Sequence, residues 1–346
     1  MKTYQTAQAG QPLVLKEVPT PTPTGTQVLL RTVAAGVCHS DVHLHDASFD
    51  LGDGKKLPAG MPGMTLGHEI VGEVVALGPD ATGVELGAVR VVYPWIGCGQ
   101  CAACKREEEN LCTRPANLGI GRPGGFADHV LVPHARYLID KGRAPDGLAA
   151  TYACSGLTAY SALKKVGTLR AGDHLVIIGA GGVGMNGIQI ARSVFGFDPI
   201  VVDINDATLA AVKELGVTRV VNGSAPDASD QIKALTDGGA YMVIDFVGSE
   251  STVGLGTRSL RRGGRVIIVG LFGGALHMAL PLIPIQSIGV VGSYVGTLPE
   301  MQELMGHVRA GKVPAIEIQE RPLSAATETL DDLRHGRARG RIVLRP

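Results

Sequence analysis

The chain has 346 residues, and its 32 Lys and Arg are balanced by 32 Asp and Glu, which gives a formal net charge of +0. This balance argues against a protein that binds nucleic acid or anionic membranes, because such proteins carry a basic excess or a basic patch. Hydrophobic residues make up 45% of the chain, which excludes an intrinsically disordered protein. The length is that of about two domains.

The N-terminal sequence MKTYQTAQAG is polar and lacks the apolar segment of a secretory signal. The most apolar stretch, residues 279–292, is interrupted by prolines and is too short to cross a bilayer. We therefore expect a cytoplasmic protein with no membrane partner and no nucleic-acid partner. In that compartment its 6 Cys remain thiols and are available to bind metal.

The predicted elements change character along the chain. In the first 150 residues, short apolar runs such as 28–33, 70–77 and 130–132 lie between glycines and prolines, which predicts an irregular antiparallel β region. From about 152 to 289, short apolar strands alternate with helical patterns, which predicts a parallel sheet covered on both faces. Strand-and-turn sequence returns after about residue 290 and ends in a strand at 341–344. We expect this last segment to complete the first domain, so that the parallel-sheet domain is inserted into it.

A glycine-rich motif begins at Gly179, directly after the predicted strand 175–178, and opens a helix. It fits the pattern G-x-G-x-x-G, whose glycines permit a tight turn, close approach of a pyrophosphate to the helix N-terminus, and close helix–strand packing. Asp203 ends the next predicted strand, where its carboxylate can bind the adenosine ribose hydroxyls and would repel a 2′-phosphate. The motif indicates NAD rather than NADP. The alternative is a glycine-rich turn in an α/β fold that binds no nucleotide.

Four cysteines occur within fifteen residues, at Cys98, Cys101, Cys104 and Cys112. Thiolates at this spacing in a cytoplasmic chain predict a closed tetrahedral zinc site with a structural role. An iron–sulfur cluster is an alternative, because it also uses closely spaced cysteines. Unligated buried thiols are another, although the charged residues 105–109 indicate a solvated loop.

The two remaining cysteines are Cys38 and Cys154, and together with His68 they have the composition of a catalytic zinc site with an open position. The sequence does not show that these three side chains meet, and each has an ordinary alternative as a buried core residue. Asp41 and Glu69 are either carboxylates that orient the ligands or ordinary turn and helix-end acids.

These motifs occur in the order Cys38-His-Ser-Asp, Gly67-His-Glu, the four-cysteine run, the glycine-rich motif and Asp203. In this the chain resembles the zinc-dependent medium-chain alcohol dehydrogenases, of the medium-chain dehydrogenase/reductase superfamily, over essentially its whole length. The resemblance implies an α/β fold with two parts. One is a GroES-like irregular β-barrel catalytic domain, residues 1–151 plus 290–346, with a structural zinc lobe at about 95–113. The other is an inserted Rossmann domain with a doubly wound parallel sheet, residues 152–289.

The resemblance also implies roles for individual residues. Two zinc ions are expected, a structural one at the four-cysteine run and a catalytic one at Cys38, His68 and Cys154, with Glu69 in the same metal site. Ser40 matches the hydroxyl that takes the substrate proton, and His43 matches the outer base of that relay. Positions that match cofactor contacts are His39, Thr158, Gly179, Gly181, Gly182, Val183, Gly184, Asp203, Val247, Val269 and Arg341. Positions that match walls of the substrate pocket are Trp95 and Tyr294.

The implied reaction is reversible hydride transfer between a primary or secondary alcohol and NAD, giving an aldehyde or ketone. The small Ser40 in place of Thr leaves room beside the metal, so we expect a medium to bulky apolar or aromatic alcohol. Alternatives are a polyol (sorbitol-type) zinc dehydrogenase, a zinc-free quinone or enoyl reductase, and a non-catalytic NAD-binding structural protein.

The sequence departs from the common family pattern in two places, an insert around Asp50–Lys56 and Thr208, where a basic residue is frequent. Relatives extend the parallel sheet on association, and the apolar run 288–294 could be an exposed sheet edge. We therefore expect a homo-oligomer, with a tetramer favoured over a dimer.

Overall fold

The computed structural model describes residues 1–338 and 340–346, which form two compact units. Unit 1 contains residues 1–48, 58–157 and 296–346, and unit 2 contains residues 49–57 and 158–295. Among the described residues, none of the helices has both the length and the apolarity needed to cross a bilayer.

The strands and helices follow one another in an order that changes from mostly β to alternating β and α. The strands are β1 Lys2–Gln5, β2 Val14–Glu17, β3 Val28–Gly36, β4 Ser48–Gly52, β5 Lys55–Pro58, β6 Glu69–Leu77, β7 Val89–Val92, β8 His129–Val132, β9 Leu138–Asp140, β10 Leu175–Ile178, β11 Ile200–Asp203, β12 Val220–Asn222, β13 Ala240–Asp245, β14 Leu260–Ile268, β15 Gly289–Gly292, β16 Ile318–Pro322 and β17 Arg341–Arg345. The helices are α1 His39–His45, α2 Ala102–Lys105, α3 Asp146–Thr151, α4 Leu157–Lys164, α5 Gly182–Ser193, α6 Asp206–Glu214, α7 Ala228–Leu235, α8 Glu250–Arg258, α9 Leu282–Gln286, α10 Leu298–Arg309 and α11 Ala326–Arg334.

Unit 1 is built on a largely antiparallel sheet in the order β16-β17-β3-β6-β7-β9, with β8 also pairing with β3. The long strands β3 and β6 pair over their whole lengths, with shifts of register that bend the sheet. Helix α11 packs against α1 through buried Ala326 and Leu330, which share a core with Val42 and Leu44. The last strand, β17, pairs antiparallel with β3, so the C-terminal segment does complete the first unit.

Unit 2 is a six-stranded parallel sheet in the order β12-β11-β10-β13-β14-β15. Strand β10 comes first in the chain but lies at the centre of the sheet. The chain therefore adds strands first on one side of β10 and then on the other, and this switch creates a crevice at the carboxyl ends of the strands. Its four residues, Leu175–Ile178, are all buried, as expected of a strand with helices on both faces. The predicted α/β fold, a GroES-like domain with a parallel NAD-binding sheet, is confirmed.

The predicted insert around residues 50–56 forms a two-stranded hairpin of β4 and β5, and its residues 49–57 belong to unit 2. Asp50 packs against Gly273, where a Cβ would lie 2.7 Å from the Asp50 Cβ atom. Gly52 similarly lies against Ala275, with a hypothetical Cβ 2.6 Å from its amide nitrogen. The hairpin is therefore held by the loop that follows β14.

The segment after residue 290 differs from the expected strand-and-turn pattern, because it contains the helices α10 and α11. Helix α10 carries a start signal that the prediction overlooked. The Thr297 hydroxyl accepts a hydrogen bond from the Glu300 amide, and the Glu300 carboxylate accepts one from the Thr297 amide. Such a reciprocal cap, followed by buried Met301, Leu304 and Met305, is typical of an amphipathic helix.

Candidate metal centres and dinucleotide site

Unit 1 brings Cys38, His68, Glu69 and Cys154 together in one buried group. Cys38 follows β3 and precedes α1, His68 and Glu69 lie where β6 begins, and Cys154 lies in the helical segment between α3 and α4. One candidate ligand atom from each residue lies within 4.8 Å of all the others, and the two Sγ atoms are 3.9 Å apart. Residues separated by up to 116 positions therefore converge on one point.

The His68 imidazole is fully buried, and among the described residues neither of its nitrogens has a hydrogen-bond partner of good geometry. The Asp41 carboxylate oxygen Oδ1 lies 3.2 Å from Nδ1. Asp41 is fixed by accepting hydrogen bonds from the backbone amides of Cys38, at 2.9 Å, and Gly67, at 3.1 Å. An unpartnered buried nitrogen beside two thiols is costly unless it has a ligand, and this donor set is the one that zinc prefers. The residues therefore fit a zinc ion.

The Glu69 carboxylate forms a buried ion pair with Arg341 and also accepts a hydrogen bond from the Ser155 amide at 3.3 Å. Burial raises the pKa of Glu69 to about 7, and the Arg341 charge opposes this rise. The pKa of Cys38 is lowered well below its usual value, first because the Cys154 thiol donates to it, and also because of His68. Gly36 is required here, because a Cβ at this position would overlap Glu69 Oε2. The group thus combines a thiol whose ionisation is favoured with a buried carboxyl group paired to an arginine.

The residues around this group include the predicted relay and one predicted pocket wall. Trp95 is buried, its ring centre lies 5.4 Å from that of His68, and its indole N–H donates to the Ala153 carbonyl at 3.0 Å. Ser40 and His43 are half-buried on α1, while His39 is exposed, with its ring 5.7 Å from that of His43. Burial lowers the pKa of His43, and the nearby His39 lowers it further.

The second metal group consists of Cys98, Cys101, Cys104 and Cys112, whose Sγ atoms all lie within 4.8 Å of one another. Backbone amides point at the sulfurs: those of Cys98 and Arg114 donate to Cys112 Sγ at 3.2 and 3.3 Å. Amides of Cys104 and Thr113 lower the pKa of Cys101 to about 6. A set of four thiols with amide donors around them stabilises thiolates and fits a closed zinc site.

The cysteine lobe is tied to the rest of unit 1 by the buried carboxylate of Glu109. It accepts hydrogen bonds from the Gly97 amide at 2.9 Å and the Tyr137 hydroxyl at 2.7 Å. It also pairs with Arg136 at 2.8 Å. Sequence reasoning did not single out Glu109, because nothing in the sequence distinguishes it from the adjacent acids Glu107 and Glu108.

In unit 2 the glycine-rich turn has the geometry that the motif predicts. Gly179 has φ +87°, and a Cβ there would lie 2.6 Å from Val247 Cγ2. A Cβ on Gly184 would overlap the Gly179 carbonyl oxygen, so the helix α5 approaches the strand closely. A Cβ on Gly181 would meet nothing within 4 Å, which leaves open space at the start of α5. Gly182 and Val183, which begin α5, are half-exposed there. This opening fits a pyrophosphate.

Asp203 ends β11 beside this turn, where its Oδ2 atom accepts a hydrogen bond from the Ala180 amide at 2.8 Å. Val247 and Val269 follow the carboxyl ends of β13 and β14, at the edge of the sheet where nucleotides bind in this fold class. The buried Asp245 accepts hydrogen bonds from the Val247 and Gly248 amides at 2.9 and 3.1 Å and so shapes that edge. Sequence reasoning missed Asp245, although an acid that ends an apolar strand is a detectable signal.

The remaining predicted residues lie in different settings. The Thr158 hydroxyl is buried at the start of unit 2 and has no hydrogen-bond partner among the described residues. Arg341, predicted as a phosphate contact, is buried in unit 1 and pairs with Glu69. Tyr294, predicted as a pocket wall, is 43% exposed in unit 2.

Comparisons with known proteins agree with these features. The family profile "Alcohol dehydrogenase GroES-like domain" matches residues 24–142, and "Zinc-binding dehydrogenase" matches residues 182–310. An NAD-dependent alcohol dehydrogenase from Sulfurisphaera tokodaii is 40% identical, with 100% of each chain covered. The crystal structure of an alcohol dehydrogenase from Aeropyrum pernix is 31% identical, with a TM-score of 0.88 and 100% of each chain covered. An acetophenone reductase from Geotrichum candidum, in complex with NAD, is 29% identical, with a TM-score of 0.85 over 100% of this chain and 97% of that chain. The chain therefore belongs to the zinc-dependent medium-chain alcohol dehydrogenases, as its motifs predict.

Proposed function

We propose that this protein catalyses the reversible oxidation of alcohols to aldehydes or ketones with NAD as the hydride acceptor. The observation that carries the proposal is the buried group of Cys38, His68 and Cys154, whose candidate ligand atoms all lie within 4.8 Å of one another. These three residues would hold one zinc ion, with Glu69 beside it. A zinc ion with an open position supplies a Lewis acid that favours loss of a proton from an alcohol.

The protein's own residues then orient the reactants and move the proton. Oxidation transfers a hydride to the nicotinamide of NAD and releases one proton from the hydroxyl. Ser40 Oγ can accept that proton and pass its own to the His43 imidazole, since a hydroxyl donates and accepts at once. The two residues are three positions apart on α1 and therefore share a helix face. His39, on the same helix, is proposed to contact a cofactor phosphate.

The cofactor-binding residues in unit 2 support NAD over NADP. Asp203 presents a carboxylate where the adenosine ribose is expected, and a 2′-phosphate would be repelled there. The cofactor contacts proposed at Thr158 and Arg341 rest on the family pattern alone, and Arg341 also pairs with Glu69. Those proposed at Gly179, Gly181, Gly182, Val183, Gly184, Val247 and Val269 rest on the family pattern and on the geometry described above.

For the substrate, we propose a medium to bulky apolar or aromatic alcohol. Trp95 lies against His68 and offers an apolar wall, and Ser40 is smaller than the Thr common at this position. Tyr294 is proposed as a second wall. The similar acetophenone reductase from Geotrichum candidum is named for an aromatic ketone, the oxidation product of 1-phenylethanol.

The test is a comparison of kcat/KM for ethanol, benzyl alcohol, 1-phenylethanol and sorbitol, followed as NADH absorbance. We expect 1-phenylethanol and benzyl alcohol to be preferred. A clear preference for ethanol would refute the substrate proposal, and a preference for sorbitol would favour the polyol class. Replacing Cys38 with Ala should abolish turnover while NADH still binds, which separates an enzyme from a non-catalytic NAD-binding protein.

Further proposals concern composition, domains and assembly. We propose two zinc ions per chain, the second at the four-cysteine lobe. We also propose domain ranges of 1–151 plus 290–346 and 152–289, from which the compact units differ by placing 152–157 in unit 1 and 49–57 and 290–295 in unit 2. The six cysteines are all free thiols, which supports a cytoplasmic location. We also propose a homo-oligomer, with a tetramer favoured, because β15 ends the sheet with Val290 and Val291 exposed.

A further inference from the structure

The helical segment that carries Cys154 is not a uniform α-helix. Between α3 and α4, residues Tyr152–Gly156 form a π-helical turn. The Leu157 amide there donates to the Tyr152 carbonyl, five residues back, as well as to Cys154. A π-turn widens the helix by one residue; such turns are rare in proteins and frequently occur at functional sites. All five of its residues are buried.

The π-turn changes which groups the helix presents at Ser155. In an α-helix the Ser155 amide donates to the Thr151 carbonyl. Here the Ser155 hydroxyl donates to that carbonyl at 2.9 Å, and the amide donates to Glu69 Oε1 at 3.3 Å. The Ser155 side chain thus bonds a carbonyl of the preceding turn, and its main-chain amide reaches the metal group.

The same turn places the Cys154 sulfur 3.9 Å from that of Cys38. Gly156 permits the tight curvature, because a Cβ at this position would lie 2.5 Å from Cδ1 of Tyr152, whose ring is fully buried. The Ala153 carbonyl, also in the turn, accepts the Trp95 indole N–H. Three consecutive residues, Ala153, Cys154 and Ser155, therefore face Trp95, Cys38 and Glu69 respectively.

We propose that the π-turn is the device that positions the metal ligands, with Ser155 and Gly156 as positioning residues for Cys154 and Glu69. The inference rests on the proposed function, since it takes the Cys38 group to be a metal site. Neither residue supplies a ligand atom. Ser155 fastens the widened turn by donating to the Thr151 carbonyl and fixes Glu69 through its amide. Gly156 leaves the space that the turn needs.

The experiment measures metal affinity in the full-length chain, stripped of metal and titrated with Co²⁺. Thiolate-bound cobalt absorbs in the visible and near ultraviolet, and a chromophoric chelator gives the affinity of each site. The four-cysteine lobe serves as an internal reference within the same molecule. The variants are Ser155→Ala and Gly156→Ala. The matched control is Ser161→Ala, which removes another buried serine hydroxyl from the same helix, one bonded to Lys165 at 2.9 Å.

We expect both variants to bind the Cys38-site metal about 10- to 100-fold more weakly, the usual effect of losing a group that orients a ligand. The lobe affinity and the Ser161→Ala control should match the wild type. Wild-type affinity at the Cys38 site in Ser155→Ala and Gly156→Ala would overturn the inference, as would an equal loss in Ser161→Ala. If Gly156→Ala does not fold, Ser155→Ala decides alone.

Failure of the proposed function gives a different result. In that case the wild-type chain takes up cobalt only at the lobe and reduces no NAD with any alcohol in the panel, which removes the inference as well. A wild type that binds two cobalt ions, with variants that do so equally well, refutes the π-turn inference alone.

Discussion

Single residues at the Cys38 group are constrained from two directions, by burial and by charge. Glu69 is fully buried, and burial raises its pKa to about 7, although the charge of Arg341 favours the ionised form. His43 lies near enough to solvent to exchange protons, but burial and His39 lower its pKa. The chemistry proposed for each residue therefore depends on neighbours that its sequence position does not reveal.

The relay predicts a pH dependence set by His43. As a base, His43 must be neutral, so kcat/KM for alcohol oxidation should rise with pH through a pKa below 6.5 and then level off. His43→Gln should remove this limb and lower the plateau about 100-fold. His335→Gln, an exposed histidine outside the site, is the control and should leave the profile unchanged. A wild-type limb that survives in His43→Gln would contradict the relay.

The close packing around Gly36 predicts that a single substitution there lowers the stability of the protein. A Cβ at position 36 would overlap the Glu69 carboxylate and would lie 2.9 Å from Glu69 Cβ, in a fully buried environment. Gly36→Ala should lower the free energy of unfolding by about 1–3 kcal/mol, the usual effect of overpacking. Urea denaturation measures this. Gly292→Ala is the control, since a Cβ there meets nothing within 4 Å and should change stability little. Equal stabilities of the two variants would refute the argument.

At the scale of elements, the predictions succeeded where burial alone determines structure. Strand β10 matches the prediction at both ends, because a parallel strand covered on both faces is apolar at every position. Helix α11 was not predicted, since it buries only Ala326, Thr329 and Leu330 and contains few apolar residues. The π-turn could not be predicted either. Its local sequence is compatible with an α-helix, and the Glu69 and Trp95 contacts come from distant parts of the chain.

The metal and cofactor sites could also be predicted only in part. Metal ligands and glycines carry the signal in their residue types and spacing, so the members of both metal groups could be named from the sequence. The partners that orient them could not. For Asp41 the sequence left two interpretations open, and the structure places its carboxylate 3.2 Å from His68 Nδ1. The pairing of Arg341 with Glu69, 272 positions away in the sequence, was not predicted at all. A long-range ion pair leaves no local pattern.

The unexpected helix α11 supports the helix that carries the proposed relay. Arg334 of α11 pairs with Asp46, at the end of α1, at 2.6 Å, and donates to His45 Nδ1 at 2.9 Å. Burial raises the pKa of Asp46, but the Arg334 contacts outweigh it, so the net pKa is lowered. An acid with a lowered pKa stabilises the fold above its unfolded pKa of about 3.9, and this stabilisation is lost as the pH falls through the folded value.

Arg334→Ala should therefore destabilise the protein by about 0.5–1 kcal/mol at neutral pH, a value discounted because the pair is partly exposed. The difference from the wild type should persist down to about pH 5 and disappear as the pH falls through the lowered pKa of Asp46. Urea denaturation at several pH values measures it. The control, Arg106→Ala, removes an exposed local pair with Glu108 and should have little effect. A difference that is constant with pH would show that Arg334 acts through packing alone.

At the scale of the whole molecule, the parallel sheet of unit 2 has two ends, and they are not alike. β12 ends one side, and β15 ends the other with Val290 and Val291 about 40% exposed. The Ser293 amide donates to the Ile268 carbonyl of β14, so by the alternation of a strand the Val290 amide points away from β14. An exposed apolar edge strand whose outward backbone amides face away from its own sheet favours pairing with another strand.

The oligomer proposal can be tested with one charge on that edge. Val290→Lys should prevent edge-to-edge pairing, so that sedimentation or light scattering finds a smaller assembly than for the wild type at the same concentration. The matched control is Val75→Lys, which places the same charge at a valine of similar exposure, 38% against 41%, on a strand of unit 1. A wild-type chain that is monomeric would refute the proposal outright. An oligomer that Val290→Lys leaves intact would show that the copies associate through another surface.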